Sequence, residues 1–197
     1  MTASPTCPGI RAEDWHDVHV GERPDAMVEV VPYRGDWVAD FEKMRAALIT
    51  SVGDVAISVE HLGSTAVTGL AAKPTIDILM VVASTESFLD VLPRVEALGF
   101  EYRPQNSLVG SDSHLFLRKV KDCKRTHHLH VVKVGSPDVD EYRRVRDAPR
   151  RDPALAADYQ RVKINLAAEY RTNRMRYVKA KSQWVDELLK SLPSHKP

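Results

Sequence analysis

Apolar and polar residues follow two different periods along this chain, and the two periods alternate. Six segments that are rich in β-branched, aromatic or uninterrupted apolar residues predict strands. They cover residues 28–31, 57–62, 76–82, 100–102, 114–120 and 127–134. Residues 76–82 are apolar at every position except Asp77. This run predicts a central strand that is covered on both faces and carries a carboxylate near its beginning.

Apolar residues spaced three or four apart predict helices between these strands and in the C-terminal part of the chain. Five helices are expected, beginning near Asp36, Thr85, Asp138, Pro153 and Asn173. Asp36 and Thr85 are residue types that cap helix N-termini, and Asp152 followed by Pro153 is an N-cap with a first-turn proline. The helix that begins near Asp138 is expected to end near Pro149. The C-terminal portion is therefore predicted to be helical.

Length and local composition predict the domain organisation. At 197 residues the chain has the length of one ordinary domain with a proper core. The first 24 residues contain three prolines and few periodic apolar residues, which predicts a flexible extension. We therefore expect a single domain over residues 25–192 and a short tail over residues 193–197. Residues 104–113 are polar and contain glycine, so they are expected to form a loop that borders the ligand and selects the acceptor.

Composition argues against several classes of function. Charged residues make up 28% of the chain and the formal net charge is +1, which gives no electrostatic case for a nucleic-acid partner. The chain has no run of ~20 apolar residues that would span a membrane, and its N-terminus lacks the basic and apolar segments of a secretory signal. Cys7 and Cys123 do not have the spacing of metal ligands. We expect a cytoplasmic protein.

The segment before the apolar strand carries the first candidate chemistry. Gly63 has no Cβ and Ser64 adds a small donor and acceptor, so such a turn lets the backbone approach a ligand. Successive N–H groups in the turn can hold phosphate oxygens. Asp77 is costly in an apolar strand unless it is paired, hydrated or bound to a metal. The pattern favours a phosphate and divalent-metal site; the alternative is a common loop turn, with Asp77 bracing a neighbouring backbone.

The second candidate is the run of histidines in the last predicted strand. Side chains alternate along a strand, so His128 and His130 lie on one side of the sheet while His127 and Leu129 lie on the other. Two imidazoles in that arrangement can converge on one metal ion or one phosphate. The alternative is that they are partly exposed sheet residues, or core histidines that hydrogen-bond to their neighbours.

Four motifs of the chain look like the signatures of the GrpB family, a small branch of the nucleotidyltransferase-like proteins. They are HLGSTAV at residues 61–67, GLAAKP at 69–74, IDI at 76–78 and THHLHV at 126–131. In addition, Tyr177 followed by Ala180 and Lys181 resembles the family's C-terminal helix. The resemblance covers about residues 28–189. It implies an α/β (α+β) fold, with a nucleotidyltransferase-type mixed β-sheet, flanking helices and a helical C-terminal portion.

The resemblance also implies an activity. It suggests that a nucleoside triphosphate such as ATP is bound with a divalent metal, and that its nucleotidyl group is transferred to a small-molecule acceptor or adenylates an acceptor for ligation. The residues implied in holding phosphate are Gly63, Ser64, Thr65, Lys73 and Lys181. The residues implied as metal ligands are Asp77, His128, His130 and Glu60. Of these, Asp77, His128 and His130 are also the implied catalytic residues.

One position departs from the superfamily pattern. A second carboxylate usually stands two residues after the first on the same strand face, and here that position is Leu79. One aspartate is a poor clamp for two Mg²⁺ ions. A single metal with mixed Asp and His ligands is an alternative, and such a set also suits Mn²⁺ or Zn²⁺. Two further functions stay open: a non-catalytic nucleotide-binding or scaffold module, and a metal-dependent hydrolase that uses His128 and His130.

Overall fold

The computed structural model describes residues 27–104, 113–122 and 124–193. The predicted extension at residues 1–24, most of the predicted loop at 104–113 and residues 194–197 of the predicted tail lie outside the described residues. The strands are β1 (Ala56–Leu62), β2 (Ile76–Val82), β3 (Phe100–Tyr102), β4 (His114–Lys121) and β5 (Lys124–Lys133). The helices are α1 (Asp36–Val52), α2 (Thr85–Glu96), α3 (Pro137–Arg151), α4 (Pro153–Glu169) and α5 (Arg174–Ser191). Within the described ranges, no helix has the length and apolar character needed to cross a membrane.

The five strands form one mixed sheet in the order β1-β2-β5-β4-β3. β1 is antiparallel to β2, β2 is parallel to β5, and β4 is antiparallel to both β5 and β3. The parallel pair is joined through α2, β3 and β4, because parallel strands need a long crossover. Its register places Asp77 opposite His128. Helices flank the sheet and three of them follow it, which confirms the predicted α/β (α+β) fold class, with a mixed sheet, flanking helices and a helical C-terminal portion.

One face of the sheet carries the main hydrophobic core, under α1 and α2. α1 turns Trp37, Phe41 and Leu48 toward this core, as their spacing predicted, and α2 contributes Phe88 and Val95. Alternate residues of the two central strands meet these helices, namely Ile76, Ile78, Met80, Val82, Leu129 and Val131. Removing this apolar surface from water is the main stabilising contribution to the fold.

The opposite face of the same strands is only partly apolar. Leu79 and Val81 of β2 and Val132 of β5 pack against Val139 and Tyr142 of α3. The polar residues on this face include Glu60, Asp77, His128 and His130. This face therefore combines a small apolar cluster with a group of ionisable side chains, and the candidate site lies there.

The predicted strand at residues 28–31 is wrong. The segment makes a single antiparallel bridge, between Val31 and Ala72, and the N–H of Val28 donates to the carbonyl of Arg171 at 2.7 Å. The Val28 side chain packs in a cluster with α4 and α5. β-branched residues favour an extended backbone, but a strand also requires the free edge of another strand beside it. Here the backbone partners are a loop and a helix end.

Two helix caps also differ from the prediction. Asp36 is the first helical residue of α1, which Gly35 precedes without a side-chain cap. α2 is capped by Ser84, whose hydroxyl accepts the N–H of Ser87 at 3.1 Å, so Thr85 is its first helical residue. Adjacent residues of capping type cannot be distinguished from sequence, because either side chain can reach the same backbone N–H groups.

Candidate functional site

A hydrogen-bonded pair lies at the beginning of the parallel strands. His128 Nδ1 is 2.8 Å from Asp77 Oδ1. A carboxylate can only accept hydrogen bonds, so His128 donates through Nδ1–H. The other ring nitrogen, Nε2, is buried and has no hydrogen-bond partner in the described part of the chain. The structure therefore brings these two predicted site residues together and leaves His128 with one uncommitted nitrogen.

Burial and this hydrogen bond determine the charges of the pair. Burial alone would raise the pKa of Asp77, but the hydrogen bond from His128 and the charge of Lys181 outweigh it and hold the pKa well below its ordinary range. Burial lowers the pKa of His128, although the neighbouring carboxylate opposes this shift. At neutral pH Asp77 is therefore a carboxylate and His128 is a neutral imidazole.

The turn at residues 63–66 lies directly against the Asp77 carboxylate. Gly63 has a φ of +68° and a ψ of −168°, a conformation that is almost confined to glycine. A Cβ at this position would lie 2.2 Å from Asp77 Oδ2. A short 3₁₀ turn, Ser64–Ala66, follows it and is closed by a hydrogen bond from the Ala66 N–H to the Gly63 carbonyl. Only glycine lets the turn come this close to the carboxylate.

The side chain of Thr65 points into the protein. Thr65 is 1% exposed and its Oγ1 lies 3.0 Å from His61 Nε2. His61 is itself buried and stacks on Phe41 with ring centroids 4.6 Å apart, and burial lowers its pKa to about 4. A contact between Thr65 and a phosphate would therefore use the main-chain N–H. Ser64, which is half-buried, is the residue of this turn whose side chain can meet a ligand.

Three cationic side chains, those of Lys73, Arg174 and Lys181, lie around Asp77. Each is half-buried, and the charge of Asp77 acts on each of them. Within the described ranges, none of the three side chains forms a salt bridge or a hydrogen bond with an acidic residue. Burial and the charges of Arg174 and Lys181 lower the pKa of Lys73 to about 7. The cluster has more positive than negative charge.

One face of α5 supplies two of these cations. Arg174, Tyr177 and Lys181 occupy positions i, i+3 and i+7 of the helix, which lie on the same side. Tyr177 is 1% exposed and anchors this side in the protein, and Lys73 Nζ lies 5.5 Å from the centroid of its ring. Tyr177 and Lys181 were predicted from the sequence, whereas Arg174 was not. Its position on the same helical face was the available signal.

His130 lies on the same face as His128 but has different partners. Its Nδ1 is 3.0 Å from the hydroxyl of Tyr142 on α3 and 3.2 Å from His114 Nε2 on β4. Burial lowers the pKa of His130 to about 3, so the ring is neutral. His114 Nδ1 lies 3.5 Å from Asp138 Oδ2 at the start of α3. This network of hydrogen bonds was not predicted from the sequence, because its members come from three separate elements, β4, β5 and α3.

Glu60 forms ion pairs with α3. Its carboxylate accepts hydrogen bonds from Arg143 at 2.5 Å and from Arg146 at 3.0 Å. Burial would raise the pKa of Glu60, but the two guanidinium groups outweigh it and lower the pKa. Glu60 therefore links β1 to α3, and both of its carboxylate oxygens already accept hydrogen bonds from arginines.

The side chains at the site do not provide a complete set of ligands for a divalent metal ion. Within residues 27–104, 113–122 and 124–193, no group of three or more His, Cys, Asp or Glu side chains is placed to hold a metal ion. Asp77 Oδ1 accepts from His128, and the position of a second carboxylate is the buried Leu79. The metal-ligand role expected of Asp77, His128, His130 and Glu60 stays a prediction, without a coordination shell to support it.

A cleft of about 880 Å³ lies on the outer side of the turn, between α1, β1 and the junction of α3 and α4. Its walls include Arg146 and Arg150, which donate hydrogen bonds to the carbonyls of His61 and Ala66. Asp77, His128 and the three cations are not part of its lining. The cleft is therefore separate from the candidate site, although the two share the turn between them.

Comparisons with known proteins give relatives along most of the chain. A family described as "GrpB protein" matches residues 27–191. A UPF0157 protein of Streptomyces coelicolor is 34% identical over 178 residues, which is 90% of this chain and 91% of that protein. The UPF0157 protein YqkA of Bacillus subtilis is 30% identical over 162 residues. That match covers 82% of this chain but 46% of YqkA, so the chain spans about half the length of that relative.

A solved structure shares the fold. The crystal structure of the conserved protein GrpB from Enterococcus faecalis matches with a TM-score of 0.75 and 31% sequence identity. The match covers 82% of this chain and 95% of that one.

Proposed function

The chain belongs to the GrpB family, and we propose that it binds a nucleoside triphosphate and transfers the nucleotidyl group to a small-molecule acceptor. The observation that carries this proposal is the cluster of Lys73, Arg174 and Lys181 beside Asp77 and the Gly63 turn. Half-buried cations without acidic partners attract a strongly anionic ligand. The nearby turn carries the motif that resembles the nucleotidyltransferase signature.

The phosphates are proposed to lie between the turn and α5. The main-chain N–H groups of the turn, from Gly63 to Thr65, face the phosphate oxygens, together with the hydroxyl of Ser64. Lys73 and Lys181, joined by Arg174, neutralise their charge. This assignment keeps the phosphate-binding residues that the motif resemblance implied and adds Arg174.

The reaction is proposed to be an in-line displacement at the α-phosphorus. A hydroxyl or amine of the acceptor forms the new bond to phosphorus, the bond to the bridging oxygen breaks, and pyrophosphate leaves with that electron pair. His128 takes the acceptor's proton at Nε2, while Asp77 holds Nδ1–H and stabilises the imidazolium that forms. The cations stabilise the charge that develops on the leaving pyrophosphate. His130, which Tyr142 orients, also stabilises the charge that develops on the pyrophosphate.

Calorimetric titration of ATP and GTP tests the binding part of this proposal. We expect Lys181→Met to weaken nucleotide affinity at least tenfold, because it removes a charge from the cluster and keeps an apolar stem of similar length. Lys179→Met is the matched control, since Lys179 is exposed on the same helix. Equal affinities for the two variants, or no binding of either nucleotide by the wild type, would contradict the proposal.

A pyrophosphate-release assay with a panel of small hydroxyl and amine acceptors tests the transfer part. Asp77→Asn should bind nucleotide and lose release by a factor of roughly 10² to 10⁴, which is the range expected when a proton acceptor is no longer oriented. Nucleotide binding without release for any acceptor would favour the second candidate function.

That second candidate is a non-catalytic nucleotide-binding module. Leu79 in the position of a second carboxylate and the ion-paired state of Glu60 favour it. No comparable observation favours a metal-dependent hydrolase that uses His128 and His130, because their Nδ1 atoms are committed to different partners.

A further inference from the structure

The family resemblance implies a divalent metal ion, but the side chains at the site offer too few ligand oxygens and too much positive charge to hold one. We infer that the protein's own cations take the place of the metal, so that the site binds the nucleotide as a free polyphosphate anion and does not require a divalent ion. This inference rests on the proposed nucleotide site. It concerns the form in which the nucleotide is bound.

The site has few carboxylate oxygens that could bind a metal ion. Mg²⁺ in such sites is held by carboxylates together with phosphate oxygens. Asp77 offers one carboxylate, whose Oδ1 accepts from His128 and whose Oδ2 is packed against Gly63. Leu79 is fully buried and apolar, and both carboxylate oxygens of Glu60 accept hydrogen bonds from arginines of α3. The protein therefore presents a single, already occupied carboxylate to an incoming ion.

The side chains around Asp77 carry more positive than negative charge. Lys73, Arg174 and Lys181 lie around that one carboxylate without described acidic partners. Like charges at short range repel a divalent cation and attract a polyanion, and partial burial strengthens both effects. Arg118, whose charge also acts on Arg174, is neutralised by Glu101 at 2.9 Å and adds little to this surplus.

The mutual effect of the cations supports the same view. Burial and the charges of Arg174 and Lys181 lower the pKa of Lys73 to about 7 although the charge of Asp77 opposes this shift, as expected where positive charge is only partly balanced. A bound polyphosphate would supply the missing negative charge. A bound divalent cation would add to the repulsion.

The test is calorimetric titration of the full chain with ATP, and separately with inorganic tripolyphosphate, in EDTA and in excess Mg²⁺ or Mn²⁺. We expect the dissociation constants in EDTA to equal those with metal within about threefold, or to be lower, because the metal complex carries less negative charge. A tenfold or greater loss of affinity in EDTA would overturn the inference and leave the nucleotide site standing. No binding in any condition would overturn the proposed function itself.

Two variants locate the effect at the cluster. Arg174→Gln should weaken tripolyphosphate binding in EDTA at least tenfold, whereas Arg176→Gln, on the exposed side of the same helix, should not change it. Binding in EDTA that is unaffected by Arg174→Gln would place the anion elsewhere and overturn the inference. The comparison of wild-type affinity with and without metal needs no variant, so it holds even if Arg174→Gln fails to fold.

Discussion

The two faces of the sheet are built from the same strands but have different chemistry. On the face under α1 and α2, Ile78 and Met80 alternate along β2 inside a continuous apolar core. On the other face, Asp77 precedes Leu79, and His128 and His130 stand beside them. A strand that is apolar at every position except Asp77 thus supplies a core on one side and a candidate site on the other. The difference arises because α3 covers only part of the second face with apolar side chains.

The comparison also separates what each face does for the protein. The apolar face stabilises the fold through burial. Its side chains are closely packed, so few other residues could replace them without a cavity or a clash. The polar face holds charges in a half-buried setting, which costs stability unless each charge has a partner. Glu60 has such partners, whereas the cations around Asp77 form no salt bridge with an acidic residue among the described residues. Changes on the first face should therefore alter folding, and changes on the second should alter ligand binding.

The largest expected effect is on the apolar face. Phe88→Ala should lower the free energy of unfolding by about 3–5 kcal/mol, because Phe88 is fully buried on the inner face of α2 and its removal leaves a cavity. Leu89→Ala is the control, since Leu89 is 40% exposed and should cost less than about 1 kcal/mol. Urea denaturation of the two variants measures the difference, and similar losses for both would contradict the assignment of the core.

The next effect concerns the contact between the turn and Asp77. Gly63 and Gly69 both have positive φ, at +68° and +81°, so alanine at either position should cost about 1–2 kcal/mol in backbone strain. Gly63→Ala should cost at least about 1 kcal/mol more, because its Cβ would meet Asp77 Oδ2. Nothing lies within 4 Å of the Cβ position at Gly69.

Binding distinguishes these two glycine variants further. Gly63→Ala should weaken ATP affinity at least tenfold, whereas Gly69→Ala should leave it unchanged. Thermal unfolding and calorimetry on the same samples give both readouts. Equal stability and equal affinity for the two variants would mean that the turn does not press against the site.

A smaller effect is expected in the pH dependence of stability. The pKa of folded Asp77 lies below its unfolded value, so its contribution to stability is complete above about pH 4 and is lost as the pH falls further toward the folded pKa. One such proton changes the slope of the unfolding free energy by at most about 1.4 kcal/mol per pH unit. Asp77→Asn should show a shallower acid slope than the wild type in urea titrations between pH 2 and 5. Parallel curves would refute the lowered pKa of Asp77.

The smallest expected effect belongs to the other acid on the same face. Glu60→Gln should lower the free energy of unfolding by about 1 kcal/mol, because it weakens partly buried ion pairs with Arg143 and Arg146. We expect ATP affinity to be unchanged, since the role of Glu60 is to join β1 to α3. A tenfold loss of affinity in this variant would instead make Glu60 part of the ligand site.

The elements that could be predicted are those whose signal is local. β2 has the bounds Ile76–Val82 that its apolar run predicted, and α5 begins at Arg174, next to the expected start near Asn173. Residues 28–31 failed because a strand depends on a partner that is distant in sequence, and the neighbours of this segment proved to be Ala72 and Arg171. A local preference for an extended backbone does not supply such a partner.

The candidate site shows the same division. Gly63, Asp77 and His128 were found because their types and spacing match a motif, and Lys181 because it belongs to a recognisable helix. Arg174 was missed because one arginine at a helix start has no distinctive pattern until the face that it occupies is known. The ion pairs of Glu60 were also missed, because Arg143 and Arg146 follow it by 83 and 86 residues. The contacts of His130 were missed because Tyr142 and His114 lie on different elements, α3 and β4.

The sequence by itself determined the helices, most strands, the glycine turn and the chemical types available to the site, because these depend on nearest neighbours and on periodicity. Only the tertiary structure decided which of these groups meet. The parallel register of β2 and β5 sets Asp77 against His128, 51 residues away, and the packing of α5 brings its cations to the same carboxylate. The balance of charge at the site depends on contacts between residues that are distant in sequence. For that reason the surplus of positive charge is visible only in the folded protein.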